Sequence, residues 1–197
     1  MASRVNRVAP SCIPTDGPWA AVAEELQRMT VQVVGATGNR GAGVVWSSDG
    51  LIVTSAHVVD GIPVIRLYDG RTYYAERVRA DRCTDLVALH IPASGIVSAK
   101  LRDSRTLRVG ELVVAVGNPM GEAGAVSLGI VHTAWPGTLI HADIRLAPGN
   151  SGGPLADAAG YIVGINCMVA NGLGVAISTV AIQQFLRRSA SAVGEAG

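Results

Sequence analysis

Apolar residues alternate with polar or small residues in about a dozen short runs, and this pattern constrains the fold most. A period of two is typical of half-buried β-strands, and turn signals such as Asp69-Gly70 separate the runs. The first series contains about six strands: Val31–Gly35, Gly43–Trp46, Leu51–Thr54, Val64–Tyr68, Tyr73–Val78 and Leu86–Ile91. The second series contains about six more: Leu112–Val116, Ala125–Thr133, Thr138–Ala142, Gly153–Leu155, Tyr161–Val169 and Gly174–Ile177.

Two series of strands with a connector between them are typical of two small barrels. We therefore predict an all-β fold with a short helix near each end, Trp19–Met29 and Val180–Arg188. The predicted organisation has five segments: an N-terminal segment with a short helix (1–30), a first barrel (31–98), a connector (99–110), a second barrel (111–178) and a C-terminal helix and tail (179–197).

Composition excludes several classes of protein. A hydrophobic content of 49% in 197 residues excludes a disordered chain, and a single Phe indicates a mostly aliphatic core. The balance of charges is 16 − 15 = +1, so net charge would not drive binding to nucleic acid or to an acidic membrane. Ala123–Ala142 lacks Asp, Glu, Lys and Arg, but glycines, a proline and histidines interrupt it, so we predict no membrane span.

Signals for targeting and for metal binding are weak. Met1–Pro18 holds no apolar run of signal-peptide length, and the compartment stays open between the cytoplasm and an exported protein whose signal was removed. The three cysteines, Cys12, Cys83 and Cys167, form no C-x-x-C pair, which favours free thiols in a reducing compartment. We predict neither a metal site nor a cofactor.

The segment Gly149-Asn150-Ser151-Gly152-Gly153-Pro154-Leu155 is the most informative for chemistry. A serine hydroxyl becomes a nucleophile when a base removes its proton and nearby donors receive the developing oxyanion. The flanking glycines allow a sharp turn, so that the amides of Gly149 and Ser151 can point into one small cavity. A plain glycine-rich turn has the same composition, so the surrounding sequence has to decide.

Residues upstream of Ser151 decide between two hydrolase arrangements. The segment also fits the G-x-S-x-G turn of α/β-hydrolases, which requires a histidine after the serine. The four histidines all precede Ser151: His57, His90, His132 and His141. The base therefore has to come from upstream, which permits the chain order His, Asp, Ser.

His57 and Asp85 are the best candidates for the base and its orienting carboxylate. His57 follows an apolar strand that ends in Thr54-Ser55-Ala56, whereas the other three histidines lie within strand patterns and are predicted to be structural. Asp85 directly precedes an apolar strand, as expected of a buried carboxylate that holds the imidazole tautomer. Asp81 fits a solvated turn, and Asp60 fits the cap of a local turn.

Together, these motifs resemble the chymotrypsin-fold serine proteases, and among them the HtrA (Deg) branch most closely. The resemblance covers roughly residues 30 to 185. It rests on three segments in chain order: Thr54-Ser55-Ala56-His57, Asp85-Leu86-Val87-Ala88-Leu89 and Gly149-Asn150-Ser151-Gly152-Gly153-Pro154-Leu155. Further matching segments are Gly41-Ala42-Gly43-Val44-Val45, Ser48-Asp49-Gly50, Gly117-Asn118-Pro119, Gly164-Ile165-Asn166 and Gly172-Leu173-Gly174-Val175-Ala176-Ile177.

The resemblance implies two six-stranded antiparallel β-barrels with the active site between them, His57 and Asp85 on the first and Ser151 on the second. Ser151 would attack a peptide carbonyl, and His57 would pass the proton to the leaving amine. The turn Gly149, Asn150, Ser151 would hold the oxyanion through its backbone amides. Asn150 stands where the digestive proteases have an aspartate that pairs with a newly cut N-terminus, so activation by N-terminal cleavage is not expected.

The resemblance also implies a substrate site that accepts a small or medium aliphatic residue before the cut. Leu146 and Val169 would line its pocket, while Ile165, Asn166 and Cys167 would pair with the substrate as an added strand. The thiol of Cys167 is predicted to be packed, with a regulatory role as the alternative.

Two residues near this site depart from the family pattern. Arg145 and Ala147 stand where the family usually has alanine and asparagine. We expect Arg145 either to pair with Asp143 or to reach the substrate.

Three functions remain open from the sequence. The first is a serine endopeptidase acting on unfolded or specific proteins, the second a silent protease-fold binding module or chaperone, and the third a processing protease of narrow specificity. HtrA proteins commonly carry a PDZ domain, which this sequence does not show, so we expect either a piece of a longer protein or a stand-alone protease. The N-terminal helix either covers its own barrel or makes contacts in a homo-oligomer, a trimer by resemblance.

Overall fold

The computed structural model describes residues 17–121, 123–134 and 138–187, and within these ranges it contains two helices and thirteen strands. The helices are α1, Pro18–Arg28, and α2, Thr179–Arg187. The strands are β1 Thr30–Val34, β2 Arg40–Val45, β3 Leu51–Ser55, β4 Val64–Arg66, β5 Thr72–Tyr74, β6 Glu76–Asp81, β7 Leu86–His90, β8 Leu112–Gly117, β9 Ala125–Ala134, β10 Leu139–Asp143, β11 Pro154–Asp157, β12 Ile162–Ala170 and β13 Leu173–Ser178. Cys12 and the predicted C-terminal tail lie outside the described residues.

The first unit is an open, curved sheet of seven antiparallel strands in the order β5-β4-β1-β2-β3-β7-β6. The sequence predicts six strands closed into a barrel, and the difference arises at Ala75, which divides the predicted strand Tyr73–Val78 into β5 and β6. A one-residue link is too short for a hairpin turn, so β5 and β6 cannot pair with each other. Instead β5 pairs with β4 and β6 with β7, which leaves them at opposite edges of the sheet.

The second unit is a closed barrel of six antiparallel strands in the order β10-β13-β12-β11-β8-β9, which confirms the prediction of a six-stranded barrel. Its interior is aliphatic, with Ile140, Leu155 and Val163 each at most 1% exposed. The connector joins the barrel through a parallel bridge between Leu101 and Ile162. A six-strand barrel of this size is filled by side chains and holds no internal ligand space.

A shared apolar cluster joins the two units. Its buried members come from both units and from α2: Val44, Val53, Leu86, Ala88, Ile165, Cys167, Val175, Ile177, Ile182 and Phe185. Burying an aliphatic side chain of this size stabilises a fold by roughly 1.5–3 kcal/mol, so this cluster fixes how the two units face each other. The site described below lies beside this junction.

Helix α1 covers the outside of the second barrel. Leu26 and Met29 are fully buried, three residues apart, and pack against Val114, Val116 and Ile162. The apolar face of α1 is therefore occupied by its own chain, which is one of the two alternatives for this helix. The trimer stays a prediction. Among the described residues, no helix is long and apolar enough to cross a membrane.

Candidate active site

Strand register brings His57 and Asp85 together. β3 and β7 pair antiparallel with Ser55 opposite Leu86, so the residues that follow β3 lie beside the residue that precedes β7. His57 occupies the short 3-10 turn directly after β3, and Asp85 lies directly before β7. The two side chains therefore meet at one end of a buried strand pair.

Asp85 binds the 3-10 turn at three points. Its Oδ2 lies 2.7 Å from His57 Nδ1, its Oδ1 accepts the His57 backbone N–H at 2.9 Å, and its carbonyl accepts the Ala56 N–H at 3.0 Å. Asp85 adopts φ = +54°, a left-handed conformation that is uncommon outside glycine and is tolerated best by Asn and Asp. Two hydrogen bonds hold the carboxylate against His57, and the third holds the Asp85 backbone in this conformation.

The contact between the two side chains sets their protonation. The hydrogen bond with Asp85 raises the pKa of His57 above its ordinary value of 6.5, although partial burial acts in the opposite direction. Burial favours the neutral acid at Asp85, but the hydrogen bonds from His57 outweigh it and lower the pKa of this carboxyl. Asp85 is therefore a carboxylate that accepts Nδ1–H, which leaves His57 Nε2 with the free lone pair of a base.

Ser151 is the last residue of a tight turn, residues 147–151, that we call the Gly149 turn. The Asn150 N–H donates to the Ala147 carbonyl at 3.0 Å, and Gly149 has φ = +104°. Pro148 followed by a left-handed glycine is typical of a type II turn. Among the described residues, the amides of Gly149 and Ser151 have no acceptor, so both donors are free to receive an oxyanion.

The structure corrects the prediction for Asn150. Its amide is already bonded to Ala147, so it contributes no donor to the site. Its side chain is 5% exposed and lies against Gly117, and its Oδ1 has no partner within the described ranges. Asn150 is therefore a packing residue beneath the turn.

Gly152 places the serine against the first sheet. It has φ = +84°, and a Cβ there would overlap the Ala42 carbonyl oxygen and the Thr54 hydroxyl, so only glycine fits. The Ser151 carbonyl accepts the Ala42 N–H at 2.9 Å. Ser151 thus packs against β2, close to the end of β3 that His57 follows.

The Ser151 hydroxyl is directed to a neighbouring carbonyl. Its Oγ donates to the Cys167 carbonyl oxygen at 3.2 Å, while the hydrogen bond of the His57 ring goes to Asp85. His57 and Asp85 are paired in this structure, and the Ser151 hydroxyl points to β12. Rotation about the Cα–Cβ bond of Ser151 would turn its hydroxyl away from the Cys167 carbonyl and towards another acceptor.

A cavity of about 390 Å³ opens beside Ser151. Leu146 and Val169 line it, as do Asn166 and Cys167, and none of its described lining residues is charged. Burial, together with the nearby charge of Asp85, raises the pKa of the Cys167 thiol to about 11, so this thiol is protonated and is the packed group that the sequence predicts. The cavity suits an uncharged, apolar side chain.

The structure corrects the predicted strand contacts of Ile165 and Asn166. Ile165 pairs with Pro154 on one side and Ile177 on the other, and it is fully buried. The backbone of Asn166 donates to the Gly153 carbonyl at 2.9 Å and accepts the Gly152 N–H at 2.7 Å. Neither residue has a free backbone edge, because β11 and the chain before it already occupy that side.

The available edge of β12 begins at Cys167. From Met168 to Ala170, β12 pairs with β13 alone among the described strands. Met168 and Val169 are each more than half exposed. A peptide added as a strand would therefore pair with 167–169, of which Cys167 is the one residue predicted for that role.

The remaining candidate residues serve other parts of the molecule. Arg145 is exposed, and no ion pair joins it to Asp143 among the described residues. Asp60 accepts hydrogen bonds from Thr37 and Asn39, as expected of a local cap. Within the same ranges, no group of three or more His, Cys, Asp or Glu residues is arranged to hold a metal ion.

Comparison with known proteins places this geometry among peptidases. Residues 41–165 match the family model described as trypsin-like peptidase domain. The chain is 36% identical over 170 residues to serine protease HTRA2, mitochondrial, of Drosophila pseudoobscura pseudoobscura, which covers 78% of this chain and 40% of that protein. It is 40% identical over 156 residues to HhoA of Synechocystis sp., which covers 70% of this chain and 40% of that protein.

The fold is also similar to a solved structure. The serine endoprotease from Yersinia pestis matches with a TM-score of 0.80 and 28% sequence identity, over 85% of this chain and 65% of that chain. The chain spans about 40% of the length of the two relatives named above.

Proposed function

Since the chain belongs to the trypsin-like peptidase family and to its HtrA branch, we propose that it is a serine endopeptidase that cleaves protein substrates. One observation carries this proposal above the others. The Asp85–His57 pair, with Nε2 free to act as a base, lies at the junction where Ser151 and two unpaired amides also lie. Base, nucleophile and oxyanion donors are the three parts that acyl transfer needs.

The first step is the activation of Ser151. When a substrate fills the cavity, the hydroxyl turns from the Cys167 carbonyl to His57 Nε2. As Oγ bonds to the substrate's carbonyl carbon, the hydroxyl proton passes to Nε2 and the carbonyl oxygen becomes an oxyanion. The amides of Gly149 and Ser151 donate to this oxyanion.

The second step expels the amine. The C–N bond breaks, and the imidazolium of His57 gives its proton to the leaving nitrogen, which leaves an acyl group on Ser151. Asp85 stays ionised throughout and stabilises the imidazolium through Nδ1–H. Water then repeats the sequence in place of the amine and releases the acid.

Substrate preference follows from the cavity and the strand edge. The uncharged lining, with Leu146 and Val169, favours a small or medium aliphatic residue before the cut. The free edge at 167–169 supports an extended peptide through backbone hydrogen bonds. A series of peptide amides that differ only in this residue tests the preference: valine or leucine is expected to exceed lysine and aspartate by about tenfold or more in kcat/KM. A preference for a charged residue would overturn it.

The peptidase proposal is tested by hydrolysis of an unfolded, fluorescently labelled protein. The wild type is expected to release peptides, Ser151→Ala to release none, and Ser127→Ala, on β9, to match the wild type. Equal hydrolysis by Ser151→Ala would mean that a contaminant or another residue is responsible.

A silent binding module is the second candidate. The observation in its favour is the hydrogen bond from the Ser151 hydroxyl to Cys167, which leaves the serine turned away from a base. Folded wild-type protein that binds the unfolded substrate but releases no peptide would favour this alternative. Hydrolysis lost in Ser151→Ala would exclude it.

A further inference from the structure

We propose that Asn118 is a positioning residue that holds the Gly149 turn in register with the sheet that carries His57. This inference rests on the proposed peptidase function, because it concerns the same two amide donors. Asn118 lies directly after β8, on a different segment from every residue of the proposed chemistry. Its backbone and its side chain each contribute.

The backbone of Asn118 supports the turn from below. Its N–H donates to the Gly149 carbonyl at 3.0 Å. A Cβ on Gly149 would overlap the Asn118 carbonyl oxygen and lie 2.8 Å from Pro119 Cα. The Gly149 turn therefore lies in direct contact with 118–119, and a shift of this segment moves Gly149.

The side chain of Asn118 fixes that segment to the first unit. It is 4% exposed, and its Nδ2 donates to the carbonyls of Val31, at 3.1 Å, and Gly41, at 3.2 Å. Its Oδ1 accepts the Gly124 N–H at 3.1 Å. Both amide hydrogens and the amide oxygen are thus used, so the side chain has one orientation that satisfies all its partners.

The two ends of the Gly149 turn consequently depend on adjacent residues of β2. The Gly41 carbonyl holds Asn118, and Asn118 holds Gly149. The Ala42 N–H holds the Ser151 carbonyl directly. Because both contacts come from β2, this strand fixes the positions of the Gly149 and Ser151 amides relative to the sheet that carries His57. A geometric role follows, since each oxyanion donor contributes only when its N–H reaches the position of the oxyanion.

Asn118→Asp is the sharpest test, because aspartate has the same shape. It retains an oxygen for the Gly124 N–H but turns a carboxylate oxygen to the carbonyls of Val31 and Gly41, where a donor is required. With a peptide amide as substrate, we expect kcat to fall about thirty-fold or more while KM stays within about threefold. Binding of a peptide aldehyde, whose hemiacetal oxygen occupies the oxyanion position, should weaken by a similar factor.

Thr179→Val is the matched control for lost stability. The Thr179 hydroxyl is buried and bonded to Arg102 O at 2.7 Å, away from the Gly149 turn. It should lower the melting temperature by a similar amount and leave kcat unchanged. Asn118→Ser, which removes both amide donors with a smaller residue, replaces Asn118→Asp if the latter does not fold.

The outcomes separate the two proposals. If the wild type cleaves the peptide and a folded Asn118 variant keeps kcat within threefold, the positioning role is wrong and the peptidase proposal stands. The same conclusion follows if KM rises as much as kcat falls, or if Thr179→Val lowers kcat equally. A wild type that neither cleaves the peptide nor binds the aldehyde overturns the proposed function and this inference with it.

Discussion

The two sides of the candidate site are built in different ways. His57 directly follows β3 and Asp85 directly precedes β7, two neighbouring strands of one sheet, and three hydrogen bonds join Asp85 to the turn that carries the imidazole. The Gly149 turn lies in the loop between β10 and β11, and its supports come from β2 and from the chain after β8. The proposed base is therefore held by local contacts, whereas the proposed oxyanion donors depend on contacts between the two units.

This difference has a consequence for how each side fails. The supports of the His57–Asp85 pair all lie in β3, β7 and the turn between Ser55 and Val59, so changes in distant segments should affect it little. A turn held by distant segments is sensitive to any change that moves one support, even where the nucleophile and base stay in place. Asp85→Asn and the titration of His57 test the first side, Gly149→Ala tests the second, and Glu111→Gln lies outside both; the expected effects decrease in the order given below.

Asp85→Asn tests the side of the site formed by His57 and Asp85. The asparagine no longer presents a charged acceptor to Nδ1, so the imidazole loses its tautomer and its stabilisation as a cation. We expect kcat to fall by about 10⁴ with little change in fold. Asp69→Asn, on the exposed hairpin of the same sheet, should stay within about twofold of the wild type. Equal kinetics for both variants would show that Asp85 does not orient the base.

Gly149→Ala tests the other side of the site, the Gly149 turn, which distant segments of the chain support. Its Cβ would overlap the Asn118 carbonyl oxygen, so the turn has to move and one amide leaves the oxyanion position. We expect a loss of about 10²–10³ in kcat, measured with a peptide amide. Gly70 has φ = +89° in open space, so Gly70→Ala carries the same backbone strain of about 1–2 kcal/mol without the overlap.

The two glycine variants together show whether a loss of activity comes from the displaced Gly149 turn or from lower stability. Both should unfold at lower denaturant concentration than the wild type. Only Gly149→Ala should lose activity, and a parallel loss in Gly70→Ala would assign the effect to general destabilisation.

The pH dependence of His57 tests the pairing itself. Because the hydrogen bond with Asp85 raises its pKa, the imidazole should take up a proton with a midpoint above 6.5, and activity should fall as the pH drops through that midpoint. NMR titration of His57 in Ser151→Ala measures it directly. Adding Asp85→Asn should lower the midpoint, since the raising partner is lost; an unchanged midpoint would show that the pair does not form in solution.

Glu111→Gln is expected to have the smallest effect, and on stability alone. Hydrogen bonds from Arg102 and Arg108 lower the pKa of Glu111 to about 2. Its contribution to the free energy of unfolding is therefore present above its ordinary pKa and is lost as the pH falls towards 2. At pH 7 the variant should be about 1 kcal/mol less stable, after solvent screening, and fully active.

Chemical denaturation at pH 7 and at pH 3 checks the Glu111 prediction. The difference in stability between wild type and variant should narrow at the lower pH. A loss of activity in Glu111→Gln would show that the second barrel's stability and the Gly149 turn are more tightly connected than the contacts indicate.

Much of the fold could be predicted because its signals are local. The six strands of the closed barrel are short runs rich in apolar residues, and turns or loops separate them in the sequence. The division of Tyr73–Val78 at Ala75 could not be predicted, since no Gly, Pro, Asn or Asp marks the break and the division depends on which strands lie at each edge. The free edge of β12 was likewise invisible, because a strand pattern does not show where its neighbour ends beside Asn166.

The site shows the same limit. His57 and Asp85 were recognisable from residue type and their place at strand ends, and the register of β3 and β7 explains why they meet. In the sequence, Asn118 stands out only as part of Gly117-Asn118-Pro119, a segment that resembles the family pattern. Its bond to Val31 joins residues 87 positions apart, and no periodic pattern records such a contact. The contacts that support the Gly149 turn can therefore be identified only from the structure.

The central claim is that His57 activates Ser151. Reaction of the purified protein with a fluorophosphonate, followed by mass spectrometry of its peptides, tests this claim most directly. We expect one adduct per chain, on Ser151, formed at least about 10³ times more slowly in a folded His57→Ala variant. An adduct on another residue, or labelling of His57→Ala at the wild-type rate, would contradict it.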